Sequence, residues 1–165
     1  MDEQDFSSIY ERYSRDVYRF ALYLSGDAAL AQDITAETFA RAWAVHDGIR
    51  VGSVKAYLLM IARNLFRDGR RRPVQVQRPD FADVRDGAAS PEAAAEARQD
   101  LRSVLGALRA LPELDRAILL MATLEGLSHE AVGAAVGLST AAVKVRVHRA
   151  RVTLNAARAA GKTLP

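Results

Sequence analysis

Apolar residues recur along this chain at helical spacing and almost nowhere alternate as they would in a strand. Over residues 6–24 they fall at Phe6, Ile9, Tyr10, Tyr13, Val17, Phe20, Ala21 and Leu24. That i, i+3, i+4, i+7 rhythm, held for about five turns, predicts a strongly amphipathic helix. Ser25-Gly26-Asp27 breaks it. A second helix is predicted from about residue 28 to 44, carrying Ile34, Phe39 and Trp43, with Asp33, Glu37 and Arg41 as a polar stripe at i, i+4, i+8. Residues 46–52 hold two glycines and read as a loop. A third helix, capped by Ser53, runs to about residue 70. Its predicted buried face is Val54, Tyr57, Leu58, Ile61, Ala62 and Leu65, and Lys55, Arg63, Asn64 and Arg67 lie off that face.

The period is lost over residues 73–90, PVQVQRPDFADVRDGAAS, which read as a linker with two prolines and a glycine. Ser90-Pro91-Glu92 restarts a helix, with Ser as cap and Pro in the first turn. That helix covers about 92–110, and Pro112 separates it from another over 114–124. Residues 126–155, GLSHEAVGAAVGLSTAAVKVRVHRARVTLN, then read as a helix-turn-helix. Gly126 stops one helix and Ser128 caps a short one over 130–136. Gly137 gives the sharp turn, and Ser139 or Thr140 caps the last helix. There Val143, Val147, Ala150 and Leu154 form one apolar stripe, while Lys144, Val145, His148 and Arg149 point away from it. A basic face of that kind suits the major groove of DNA. The alternative is a solvated basic helix, but turn, cap and stripe all agree with the first reading. The predicted fold is all-α, with two small helical domains, 1–72 and 91–165, joined by the linker 73–90.

Charge divides the chain the same way. Residues 1–50 carry 5 basic and 9 acidic side chains, and residues 51–78 carry 7 and 1. Residues 79–142 carry 5 and 10, and residues 143–165 carry 6 and none, for an overall net of only +3. Two basic blocks set in acidic sequence suggest two places that meet phosphate. No apolar run nears the ~20 residues that span a bilayer, and the acidic N-terminus is unlike a signal peptide. With no cysteine there is no disulfide and no Cys-ligated zinc. His46, His129 and His148 lack metal-ligand spacing. A cytoplasmic protein without cofactor or metal is expected.

Three segments together resemble the extracytoplasmic-function (ECF) group of bacterial sigma-70-type sigma factors. They are FSSIYERYSRDVYRFALYLSGDAALAQDITAETFARAW, VKAYLLMIARNLFRDGRRR and LPELDRAILLMATLEGLSHEAVGAAVGLSTAAVKVRVHRAR. The resemblance implies a non-enzymatic initiation factor built from region 2 and region 4. It would bind core RNA polymerase through the clamp helices of the largest subunit and through the flap. By resemblance Asp33, Glu37 and Arg41 are polymerase contacts, although residue types alone favour a solvated face with an i,i+4 pair. The loop 46–53 and the helix behind it are similar to the reader of the −10 element, with Lys55, Arg63, Asn64, Arg67, Arg70 and Arg71 along the path of a melted strand, the alternative for Arg63 and Asn64 being a structural role. VKVRVHRAR is similar to the −35 recognition helix. Lys144, Val145, His148 and Arg149 face bases and phosphates, and Thr140 and Arg146 contact phosphate. The family commonly has Ser where Val145 stands. Valine donates no hydrogen bond but packs on a thymine methyl.

Two other classes compete. A LuxR-type regulator shares the helix-turn-helix unit but needs a sensor domain and a dimer face. A sigma-like adaptor would bind polymerase or an anti-sigma factor without promoter activity. The free protein is expected to be a monomer whose domains move independently on the linker. Autoinhibition is expected only from an anti-sigma partner wedged between the domains, covering Asp33 and Glu37 together with Lys144 and Arg149.

Overall fold

The computed structural model describes residues 3–45, 53–69 and 90–162. The N-terminal unit comprises α1 (Glu3–Ser25), α2 (Ala28–Ala44) and α3 (Val54–Gly69). The C-terminal unit comprises α4 (Pro91–Arg109), α5 (Glu113–Leu119), a π turn (Leu120–Leu124), α6 (His129–Val136) and α7 (Thr140–Lys162). Among the described residues every regular element is helical. The 46–52 loop and residues 73–89 of the linker lie outside them.

Local chemistry sets the helix boundaries. Gly26 adopts φ +70° between α1 and α2, and the Asp27 side chain accepts from the Leu30 N–H. The hydroxyls of Ser53, Ser90, Ser128 and Ser139 each accept from the N–H three residues on. Each satisfies one of the donors that a helix start leaves without a partner.

The helix expected over 114–124 does not stay regular. After Leu119 the Glu125 N–H donates to the Leu120 carbonyl at 3.0 Å. The Thr123 hydroxyl competes for the Leu119 carbonyl. The wider turn resets the register, and Glu125, the residue that follows it, ends with no exposed side-chain surface.

The two units do not behave as separate bodies, contrary to the expectation from the linker. One contiguous apolar cluster runs from Phe20, Leu24 and Leu58 through Leu108 and Ile118 to Val132, Val143 and Val147. α3 packs on α6, and α1 packs on α4, α5 and the π turn. The reason lies in α3. Besides Leu58, Ile61 and Ala62 it buries Ala56, Leu59, Arg63 and Phe66, a second stripe at i, i+3, i+7, i+10. A small residue and a charged one interrupt that stripe, so it does not read as apolar. Helix α3 is therefore covered by its own domain and by the other. Ala56, Tyr57 and Met60 face Ala131, Ala134 and Ala135 across a cleft of about 480 Å³.

Gly133 on α6 is fixed by a close approach. A Cβ there would run into the Leu138 carbonyl oxygen. That carbonyl belongs to the turn and has little freedom to retreat. Gly133→Ala should therefore destabilise the fold by roughly 1–3 kcal/mol, read as a lowered urea midpoint. An unchanged midpoint would show that the turn relaxes without cost.

Candidate nucleic-acid and polymerase interfaces

The turn between α6 and α7 aims the last helix. Gly137 sits at φ +77°, and its N–H and that of Leu138 both donate to the Gly133 carbonyl, at 2.8 and 2.9 Å. Val143, Val147 and Ala150 are buried as the stripe requires. Thr140, Lys144, Val145, His148 and Arg149 are exposed on the other side. Val145 keeps 54% of its surface in contact with solvent amid this basic face. An apolar contact point flanked by donors is what direct reading of base edges uses. Arg146 departs from its expected place. It is half-buried, and its Nη1 donates to Asp115 Oδ1 at 2.8 Å, bracing α7 on α5. Asp115 thus engages one Nη of Arg146, whose side chain stays 34% exposed.

On α3 the expected −10 set divides. Asn64 and Arg67 are exposed, and Arg70 and Arg71 lie outside the described residues. Arg63 and Lys55 turn into the seam between the domains. Arg63 is buried and forms a bidentate pair with Glu113, Nε to Oε1 at 2.9 Å and Nη2 to Oε2 at 3.0 Å. Lys55 Nζ lies 3.0 Å from Glu125 Oε2 and 3.3 Å from Asp16 Oδ2. Here too the helical period placed the side chains off the local core correctly, but the second domain covers that side.

The seam recruits residues that sequence reasoning passed over. Glu125 also accepts from Arg19, Nε to Oε1 and Nη2 to Oε2, both at 3.0 Å. That hydrogen bonding is the largest cause holding the Arg19 guanidinium above its usual pKa, against the opposing effect of burial. Arg116, buried on α5, donates Nη1 to the Leu24 carbonyl, one of the acceptors the end of α1 leaves free. The Arg109 side chain lies close over Gly26, where a Cβ would sit 2.7 Å from its Nη2. These contacts link positions about 80 to 110 residues apart, which helical periodicity does not register.

On α2, Asp33, Glu37 and Arg41 are exposed as expected. Arg41 Nε donates to Glu37 Oε1 at 3.1 Å with both side chains about half exposed, 51% and 53%, a pair contributing roughly 0.3–0.5 kcal/mol. Asp33 stands one turn before this pair.

Two family patterns match the chain: Sigma-70 region 2 over residues 9–74 and Sigma-70 region 4 over residues 101–154. The ECF RNA polymerase sigma factor EcfG of Rhodopseudomonas palustris is 36% identical over 139 residues, spanning 83% of this chain and 76% of that protein. The chain belongs to the ECF group of sigma-70-type factors. The probable RNA polymerase sigma factor RfaY of Xanthomonas campestris is 35% identical over 162 residues, covering 92% of this chain, which in turn spans only 40% of that relative's length. Among solved structures, the sigma factor RpoE in complex with the anti-sigma factor NepR from Bartonella quintana aligns with a TM-score of 0.71 at 26% identity. That alignment covers 93% of this chain and 96% of RpoE. Among the described residues, no helix is long and apolar enough to cross a membrane, and no cluster of His, Asp or Glu could hold a metal.

The region 2 match thus contains α2, α3 and most of α1, and the region 4 match contains α5, α6, most of α7 and the C-terminal half of α4. The Arg63–Glu113 pair joins the two regions and is nearly buried, with side chains 8% and 13% exposed. A double-mutant cycle with Arg63→Gln and Glu113→Gln, read by urea unfolding, should return a coupling of about 0.5–3 kcal/mol. Additive losses would mean that the pair does not hold the seam in solution.

Proposed function

We propose that this ECF sigma factor binds core RNA polymerase and directs it to promoters with a −35 and a −10 element. Residues 1–72 would serve as region 2, residues 73–90 as linker and residues 91–165 as region 4. The observation that carries the reading is the exposed face of α7. A capped, turn-fixed helix buries Val143, Val147 and Ala150 and presents Lys144, Val145, His148 and Arg149 together. Thr140, exposed at its start, would contact phosphate. On region 2, Asn64 and Arg67 face solvent, and they, Arg70 and Arg71 would meet the melted −10 strand. Lys55 and Arg63 could join them only after leaving Glu125 and Glu113. The factor would be non-enzymatic, cofactor-free and cytoplasmic. Its anti-sigma partner is inferred from the RpoE–NepR likeness.

Asp33, Glu37 and Arg41 form the face for the polymerase clamp helices. Two carboxylates one turn apart suit a basic partner surface. Run-off transcription with core polymerase on a promoter template tests the reading: the wild-type chain should yield a discrete transcript. Asp33→Arg with Glu37→Arg should abolish it and weaken capture of core enzyme while the helical circular dichroism stays intact. Full activity of the reversed face would remove it from the interface, and no transcript from wild type would favour an adaptor without promoter activity.

Arg149 stands on the exposed face beside His148 and Val145. If its guanidinium reads a guanine edge, Arg149→Ala should cost ~1–3 kcal/mol on the matched −35 sequence and little on a scrambled one. Equal losses on both duplexes in a binding titration would make it a phosphate contact instead.

A further inference from the structure

One element of region 4 takes cations from both DNA faces assigned above. Glu113 and Asp115 open α5, and Glu125 follows the π turn that ends it. Asp115 holds Arg146 within region 4, a brace that survives any separation of the domains. Glu113 and Glu125 reach across to region 2 and hold Arg63 and Lys55. Each of these cations faces a carboxylate at 2.9–3.0 Å, the distance at which an ionised group donates to a phosphate oxygen. Arg63 meets both carboxylate oxygens, in the fork geometry that also suits phosphate.

We propose that Glu113 and Glu125 act as intramolecular phosphate mimics that occupy the −10 strand site of region 2 while the free protein is closed. The inference rests on the reading of α3 as the −10 helix. The two promoter elements lie about 25 base pairs apart, roughly 85 Å at 3.4 Å per pair. In the closed chain α3 and α6 touch, so both elements cannot be engaged until the seam parts. Parting it releases Arg63 from Glu113 and Lys55 from Glu125 together, leaves Lys55 beside Asp16 of its own region, and leaves Asp115–Arg146 in place. Strand binding and domain opening are thereby one equilibrium: the apparent affinity for the strand is reduced by the fraction of molecules that are open. No second protein is needed for this inhibition. A partner that favours the closed form would deepen it, and polymerase binding would relieve it by drawing the regions apart.

The test uses the full chain with Glu113→Gln and Glu125→Gln, which keep side-chain shape and remove charge. The probe is a fluorescein-labelled single-stranded DNA of roughly 12 nucleotides, followed by anisotropy, with small-angle scattering on the same samples. The double variant should have a larger radius of gyration than wild type and bind the strand roughly tenfold tighter at low salt. Adding Arg63→Gln should return the affinity close to the wild-type value. An opened variant with unchanged strand affinity would overturn the mimicry, and so would a variant that stays closed with unchanged affinity. Should the buried Glu125→Gln change unfold the chain, Glu113→Gln alone should still tighten binding severalfold, and no change there would overturn the proposal. Run-off transcription by the wild-type chain separates the two layers. A transcript with flat anisotropy across the variants removes only the mimicry. Loss of the transcript removes the sigma reading beneath it.

Discussion

A carboxylate with no exposed surface has to carry its compensating charges with it, and Glu125 draws two cations from the other domain. Its position follows from the π turn, which shifts the register after Leu124 and points the side chain into the seam instead of toward water. Arg19 of α1 and Lys55 of α3 then converge on it, with Asp16 beside them. An isolated buried carboxylate would neutralise or be expelled, and removing one partner from such a group costs about 3–5 kcal/mol. The relative placement of α1, α3 and the start of the helix-turn-helix is therefore tied to a single charge.

The apolar part of the seam supplies attraction, and the polar part supplies register. Leu58, Leu59, Ile118 and Met121 are fully or almost fully buried, and side chains of that size each contribute roughly 1.5–3 kcal/mol on burial. Such burial tolerates sliding. The bidentate Arg63–Glu113 pair and the Arg116 cap on α1 do not, because both depend on direction. A cleft lined in part by Ala131, Ala134 and Ala135 lies between α3 and α6. A seam fixed at a few charged points, with a gap between them, is suited to opening as a unit.

This arrangement also bears on how an ECF factor with so modest a net charge separates its tasks. The α7 face proposed for the −35 element stays open to solvent in the closed chain, as does the α2 face proposed for polymerase. Of the α3 cations proposed to meet the melted strand, Arg63 and Lys55 are withheld and Arg67 faces solvent. On the proposed reading, strand capture waits until polymerase has drawn the two regions apart.

Helix boundaries were legible in the sequence because they follow from neighbours within four residues. Asp27, Ser53, Ser90, Ser128 and Ser139 cap where hydroxyls and carboxylates next to apolar periods say they should. Gly137 turns where a left-handed residue is needed. The exposed faces of α2 and α7 were legible for the same reason, since one buried stripe fixes the opposite side. The fates of Arg63, Lys55 and Arg146, and the burial of Glu125, were decided by tertiary structure alone. Each depends on a partner about 30 to 110 residues away, and a helical period says which side of a helix is off its own core but not what covers that side. The sequence by itself determined the helices, their caps and the family to which they belong. The docking of region 4 on α3, and with it which cations are free to meet DNA, was decided by one buried carboxylate and a second stripe that no local pattern reveals.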